Sequence, residues 1–219
     1  MLLAIDTSAG TSVAVVHREA GDGQLKVLAE LFENDTRRHA EVIGSLIARV
    51  LSDAGVAVTD LHGVAVGMGP GPFTGLRVGI AAARAFALGS GKPVVPVISH
   101  DAVAFGEYGH GANAPVSDPL LVVTDARRRE VYWSAYSGSD NAGLVVRTAG
   151  PGLVRPEDLA DAVPDLGRYR RIDAEVISAA SVGLLAESLY INKRAFASDE
   201  ALYLRSPDVT LSAGPKRVS

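Results

Sequence analysis

The side chains with the clearest capacity for chemistry lie at the ends of two short apolar segments, one in each half of the chain. Asp6, Thr7 and Ser8 follow the first segment, and Asp125 follows the second. A carboxylate beside hydroxyls at a strand end can face the metal ion and phosphates of a nucleotide. Asp6 can instead cap the turn through its own backbone. We favour capping, because the sequence shows no other parts of a nucleotide site.

A glycine-rich loop is the second feature with chemical potential. A short apolar run at 64–66 is followed by a loop at 67–75 and then by an alanine-rich helix from about Leu76. Glycines at such a junction allow a ligand to approach the backbone, and the first helical N–H groups favour an anion. The loop matches neither the Walker nor the Rossmann pattern. A purely structural connection therefore remains open, in which Thr74 caps the helix.

The histidines do not predict a metal site. A helical site requires two of them three or four residues apart, and no pair has that spacing. Ser8, Ser12 and Thr74 have no motif neighbour that would activate a hydroxyl as a nucleophile. We therefore expect neither a metal site nor catalytic residues in this chain. The five histidines are His17, His39, His62, His100 and His110.

Composition is that of an ordinary globular protein. Of the 219 residues, 47% are hydrophobic and 21% are charged, and cysteine is absent, which excludes disulfides and thiolate metal sites. The chain has no apolar run of membrane-spanning length and no signal-peptide pattern at its start, so we expect a cytoplasmic protein.

Charge argues against an autonomous nucleic-acid binder. The formal net charge is −4, and the basic clusters at 37–38, 127–129 and 168–171 are short. We expect each cluster to be solvated or ion-paired. If RNA is the final substrate, another subunit must supply most of the contact.

Periodicity predicts an α/β first unit. Two strands around the turn at 7–12 and a third at 25–32 form a meander. A helix with a wide apolar stripe, the strand at 64–66, a helix at 76–88 and a strand at 94–98 follow. The predicted order is βββαβαβ, over residues 1–99.

The second unit, residues 100–219, looks like a reduced copy of the first. A helix at 102–108 precedes strands at 120–124 and 130–136, which echo the opening of the chain. Helices are predicted at 155–162 and 179–189, with little strand signal between 151 and 200. The tail beyond residue 211 is predicted to be disordered.

Five segments together resemble the bacterial TsaB (YeaZ) family, with Pro72 where most members have serine. The most specific is GMGPGPFTGLRVGIAAARAFALG. The others are LLAIDTSAGTSVAVV, RRHAEVIGSLIARVLSDAGV, VVTDARRREVYWSAY and ALYLRSP. The likeness covers most of residues 1–136 and is patchy beyond them.

The resemblance implies a two-lobed fold of the actin, Hsp70 and sugar-kinase (ASKHA) type with a reduced second lobe. It implies a non-catalytic scaffold or activator subunit for forming N6-threonylcarbamoyladenosine next to the tRNA anticodon. Its partners would be a TsaD-like catalytic paralogue and a TsaE-like ATPase. It would contact tRNA only through the complex and self-associate when the partner is absent.

The resemblance also implies two sets of site residues. A vestigial nucleotide cleft, with no cofactor of its own and at most weak ATP or ADP binding within the complex, would comprise Asp6, Thr7, Ser8, Gly69, Gly71 and Asp125. A helix-on-helix interface, with its residues exposed in the monomer, would comprise Arg38, His39, Val42, Ile43, Leu46, Gly79 and Ala83.

Two other functions are weighed against this one. An autonomous phosphotransferase of the sugar or acetate kinase kind would require a second glycine-rich loop near residues 160–190, which the sequence lacks. A glycoprotease-type metallopeptidase would require a paired-histidine metal site.

Overall fold

The computed structural model describes residues 1–19, 23–35, 38–109 and 116–205. Its first sheet has the strand order β3-β2-β1-β4-β5, in which β1, β2 and β3 are antiparallel neighbours and β1, β4 and β5 are parallel. The elements of this lobe are β1 (Leu2–Asp6), β2 (Thr11–Arg18), β3 (Leu25–Glu33), α1 (His39–Ala54), β4 (Gly63–Gly67), α2 (Phe73–Ser90) and β5 (Val94–Val97). The predicted βββαβαβ order is therefore confirmed.

Helices α1 and α2 cover one face of this sheet. Buried residues of α1 recur every three or four positions, so one side of the helix packs on the strands. The core below it contains Leu3, Ile5, Val13 and Val64, each fully buried. Both helices end at a glycine in the left-handed conformation, Gly55 and Gly91.

The second sheet repeats the pattern of the first with one strand fewer. Its order is β8-β7-β6-β9, in which β6 pairs antiparallel with β7 and parallel with β9, as β1 pairs with β2 and β4. The strands are β6 (Leu120–Asp125), β7 (Val131–Ser139), β8 (Val145–Val154) and β9 (Arg170–Asp173). This repetition supports the predicted duplication and the reduced second lobe.

Two helices lie between the sheets and join the lobes. They are α3 (Ser99–Glu107) and α5 (Ala179–Ile191), and the short α4 (Leu159–Ala162) lies on the outer face of the second sheet. Helix α5 packs on the first sheet through Val182 and Leu185. Helix α3 contacts α5 and packs on the second sheet through Ala104 and Tyr108. Because α5 is apolar nearly all round, it is buried on several sides.

Three sequence predictions about these elements need correction or fall outside the structure. The expectation of little strand signal after residue 151 is wrong, because β8 runs to Val154 and β9 follows. Thr74 does not cap α2, since the helix begins at Phe73 directly after Pro72. The predicted disordered tail lies outside the described residues. Within the described ranges, every helix is too short or too polar to cross a membrane.

Candidate functional site

A cleft of about 660 Å³ lies between the two lobes. Two of the six predicted cleft residues, Ser8 and Asp125, line it. The structure corrects the placement of Asp6, Thr7, Gly69 and Gly71, which lie buried behind the cleft wall. The lining residues are Ser8, Ala9, His39, Pro72, Thr74, Gly75, Asp125, Arg127, Ala174 and Glu175.

Asp6 is buried and bonded within its own turn. Its side chain is 1% exposed. Oδ1 accepts a hydrogen bond from the Ser8 N–H at 2.7 Å, and Oδ2 accepts one from the Ser99 hydroxyl at 2.6 Å. Burial raises the pKa of Asp6 to about 6, with the hydrogen bonds acting against that rise. The carboxyl group therefore caps the β1–β2 turn, as favoured from the sequence, and it does not line the cleft.

The glycine-rich loop is occupied by contacts within the chain. Residues 67–71 are all buried. The Gly69 N–H donates to Ser99 Oγ at 3.1 Å, the Gly71 carbonyl accepts from the Tyr132 hydroxyl at 3.2 Å, and the Met68 carbonyl accepts from the Leu202 N–H at 2.8 Å. These three backbone groups are therefore already satisfied without a phosphate.

The glycines of this region allow close packing. A Cβ atom at Gly67 would overlap the Asp6 carboxylate, and one at Gly79 would overlap the Thr7 hydroxyl. That hydroxyl donates to the Gly75 carbonyl at 2.7 Å. The β1–β2 turn is thus pressed against the loop and the first turns of α2. The need for this contact, rather than a ligand, explains the absence of side chains at both glycines.

His39 faces inward, which contradicts the predicted exposure. It is 6% exposed, and its Nδ1 lies 2.6 Å from the Thr11 hydroxyl. Burial, followed by the charge of Arg127, lowers its pKa. The histidine therefore joins α1 to β2 at the edge of the cleft.

Four other predicted interface residues also lie in the core of the first lobe. Ile43 is 8% exposed, Leu46 is 5% exposed and Ala83 is 0% exposed, and Gly79 is buried against Thr7. The prediction that this face is exposed in the monomer is wrong for these residues, because it packs on the sheet. Arg38 is exposed and Val42 is partly buried, so an interface role for these two stays a prediction.

The surface that the two helices do present carries rows of small residues beside exposed charged side chains. Exposed positions four apart on α1 are Ala40, Gly44 and Ala48, and those on α2 are Ala81 and Ala85. Leu88 continues the α2 row and is 86% exposed. Sequence reasoning missed this set, although spacing of small residues by four is visible in both helices.

Three of the described histidines, His39, His62 and His100, contact groups in separate places, whereas the buried Nδ1 of His17 has no hydrogen-bond partner. Both ring nitrogens of buried His100 lie 2.9 Å from a hydroxyl oxygen, on Ser134 and on Thr124. Burial lowers its pKa to about 3. His62 lies beside the amino terminus, and His110 lies outside the described residues. Among the residues that the structure describes, no three His, Asp or Glu side chains are grouped to hold a metal ion.

Comparison with known proteins identifies the family. Residues 26–160 match the model of the family described as TsaD: tRNA N6-adenosine threonylcarbamoyltransferase. The tRNA threonylcarbamoyladenosine biosynthesis protein TsaB of Escherichia coli is 33% identical over 157 residues, covering 71% of this chain and 63% of that protein. The chain belongs to the TsaB (YeaZ) family.

Two further relatives extend this likeness over nearly the whole chain. An uncharacterized protein of Mycobacterium tuberculosis is 37% identical over 215 residues, covering 94% of this chain and 92% of that protein. A crystal structure from Pseudomonas aeruginosa, described as an uncharacterized protein with similarity to peptidase YEAZ, superposes with a TM-score of 0.71. It is 26% identical and covers 93% of this chain and 99% of that one. The two-lobed fold expected of the TsaB family is thereby confirmed.

Proposed function

We propose that this chain is a non-catalytic accessory subunit in the formation of N6-threonylcarbamoyladenosine in tRNA. The main support is the glycine-rich loop, whose Met68, Gly69 and Gly71 backbone groups are hydrogen-bonded within the chain. A loop held in this way positions α2 and the lobes relative to one another. It does not leave these groups free to bind a phosphate.

The matched family model carries the name of the transferase itself, which makes catalysis the second candidate. Three observations favour the accessory role. Asp6 is buried and does not line the cleft. The side chains of His39 and His100 are hydrogen-bonded to hydroxyl groups. Among the described residues, no three side chains are grouped to bind a metal ion.

The proposed partner is a TsaD-like transferase that binds the outer face of α1 and α2. Small side chains at Gly44, Ala48, Ala81 and Ala85 allow a partner helix to approach closely, and Leu88 offers an apolar contact. In the absence of the transferase, a second copy of the chain would bind the same face. A TsaE-like ATPase would complete the assembly in the cytoplasm, and tRNA would reach the chain within that complex.

We further propose that the chain carries no cofactor of its own. Any ATP or ADP would bind weakly in the cleft beside Ser8 and Asp125, and only within the complex. The isolated chain should then lack ATPase, kinase and peptidase activity. Turnover above about 1 s⁻¹ that depended on Ser8 and Asp125 would contradict the accessory role.

Reconstitution tests the proposal. Purified TsaD-like and TsaE-like partners, the threonylcarbamoyl-adenylate or the enzyme that makes it, ATP and unmodified tRNA are combined with and without this chain. Modified nucleoside is quantified after digestion of the tRNA. The expected result is product only when the chain is present, and an equal yield without it would refute the role.

A further inference from the structure

A second groove lies at the opposite end of the first sheet from the cleft. It has a volume of about 430 Å³ and lies between the amino ends of β1, β4 and β5 and the carboxyl-terminal half of α5. Its lining is mostly apolar and includes Leu2, Pro93, Val94, Val95 and Ala186. A concave apolar surface with a few polar groups is typical of a binding site.

One carboxylate lines this groove without a partner. Glu187 is partly buried, and within the described part of the chain it forms no hydrogen bond and no ion pair. Arg194, which follows α5, pairs with Asp140 at 2.9 Å instead. His62, another polar lining residue, has its Nδ1 at 3.2 Å from the Met1 nitrogen. Because a partly buried carboxylate is stabilised by an opposite charge, the groove favours a cation beside Glu187.

Two aromatic rings lie in the same groove. Tyr190 follows Glu187 by three positions on α5, so the two side chains lie on one face of the helix. Tyr190 is 70% exposed and Phe196 is 38% exposed. The faces of aromatic rings attract cations. The rings and the carboxylate together therefore fit a cation that is carried on an apolar stem.

A guanidinium group fits this combination better than an ammonium group. It is planar, pairs with a carboxylate through two N–H donors and stacks on aromatic rings, whereas an ammonium group is a strongly hydrated point charge. The chain uses the same contact elsewhere, since the Arg77 guanidinium carbon lies 3.7 Å from the centre of the Phe73 ring. We therefore expect arginine rather than lysine in the groove.

The surroundings of the groove indicate that the arginine belongs to another protein. Ile191 is 39% exposed and extends the apolar surface past Tyr190 at the end of α5. A free small cation would leave this surface in water, whereas a protein segment would cover it. Arginine and tyrosine are also enriched where proteins bind one another.

We propose that this groove binds an arginine side chain of a protein partner. Glu187 pairs with the guanidinium group, and Tyr190 and Phe196 contact that group and its stem. Helix α5 packs on the opposite face of the first sheet from α1 and α2, so this partner differs from the transferase proposed for those two helices. The inference does not rest on the accessory role.

The test is an NMR titration of the isotope-labelled full chain with the blocked peptide acetyl-Gly-Arg-Gly-amide at constant ionic strength. The control peptide has citrulline in place of arginine, which keeps nearly the same shape and removes the charge. Free L-arginine is the third probe, because a site for a free amino acid would also recognise its amino and carboxylate groups. Backbone amide shifts of α5 report binding.

The arginine peptide should shift the amides of residues 187–191 saturably and bind at least about threefold more tightly than the citrulline peptide. Free L-arginine should bind no more tightly than the arginine peptide. Glu187→Gln should remove the difference between the two peptides and should melt like the wild type, because the carboxylate has no partner to lose. Tyr190→Leu should weaken binding of the arginine peptide about two- to fivefold. Asp161→Asn, which removes an exposed carboxylate from α4, is the control and should bind like the wild type.

Equal affinity for the two peptides, or shifts that spare α5, would overturn the proposal. So would an unchanged affinity of Glu187→Gln for the arginine peptide. Tighter binding of free L-arginine would identify a free amino acid as the ligand, and a lower melting temperature of Glu187→Gln would show that the carboxylate stabilises the fold instead. The accessory role is decided separately by the reconstitution, whatever these peptides do.

Discussion

Two alanines in α2 provide the sharpest test of which face of this helix packs in the core and which face binds a partner. Ala83 is 0% exposed in the core formed by α1, α2 and the first sheet, whereas Ala85 is exposed on the outer face. Ala83→Glu would bury a carboxylate without a partner, at a cost of several kcal/mol. Because the whole domain is stable by about 5–15 kcal/mol, this change should lower the melting temperature severely or prevent folding. Ala85→Glu should change the free energy of unfolding by less than about 0.5 kcal/mol.

The assay combines urea unfolding of each variant with size-exclusion chromatography in the presence of the TsaD-like partner. Ala85→Ser, which keeps the side chain small and uncharged, is the control. We expect Ala85→Glu to fold normally and to lose the partner, and Ala85→Ser to keep it. A wild-type melt for Ala83→Glu would refute the buried position of Ala83. Normal partner binding by Ala85→Glu would refute the outer face as the interface.

Three further predictions concern the packing of the lobes and its dependence on pH. Gly79→Ala should destabilise the fold by about 1–3 kcal/mol, because its Cβ would overlap Thr7. Gly89→Ala in the same helix meets no atom within 4 Å and should stabilise the fold by up to about 1 kcal/mol. Melting temperatures that shift in the same direction for both variants would contradict this packing. Glu30→Ala should lower the free energy of unfolding in urea by about 1–3 kcal/mol, since Glu30 Oε1 accepts hydrogen bonds from two hydroxyls and from an N–H in the first turn of α5. An unchanged midpoint would show that these hydrogen bonds do not stabilise the fold. Burial lowers the pKa of His100 to about 3 in the folded state, so the contribution of neutral His100 to the free energy of unfolding is fully present above pH 6.5. That contribution is lost as the pH falls toward 3, by at most about 1.4 kcal/mol per pH unit. Urea unfolding from pH 7 to pH 4 should show a shallower pH dependence of stability for His100→Asn than for the wild type, and parallel curves would contradict this.

Most of the first lobe could be predicted because its strands and helices follow simple periods. The strands of the second lobe were harder to recognise for physical reasons. Gly150 and Pro151 interrupt the apolar pattern of β8, which pairs with β7 through several register shifts. β9 is a charged edge strand with Ile172 as its single apolar residue.

The cleft could be predicted only in part, because sequence does not show which way a side chain points. Asp6 lies at the end of a strand, as expected, yet its carboxylate accepts hydrogen bonds from the Ser8 N–H and the Ser99 hydroxyl. Helix α2 carries small apolar side chains on nearly every face, so the sequence does not distinguish Ala83 from Ala85. Ala83 is nevertheless buried, and Ala85 is exposed. The sequence does not signal the positive φ angles of Arg127, Arg128 and Arg129, because arginine is not typical of the left-handed region.

The accessory role is tested most directly by the initial rate of threonylcarbamoyladenosine formation as this chain is titrated against a fixed amount of the TsaD-like protein. The rate should be near zero without the chain and should reach a plateau at a stoichiometric complex. The double variant Ser8→Ala/Asp125→Asn should reach the same plateau, because the proposed accessory role assigns these cleft side chains no part in the reaction. A full rate without the chain, or a plateau abolished by that variant with the complex intact, would contradict the role.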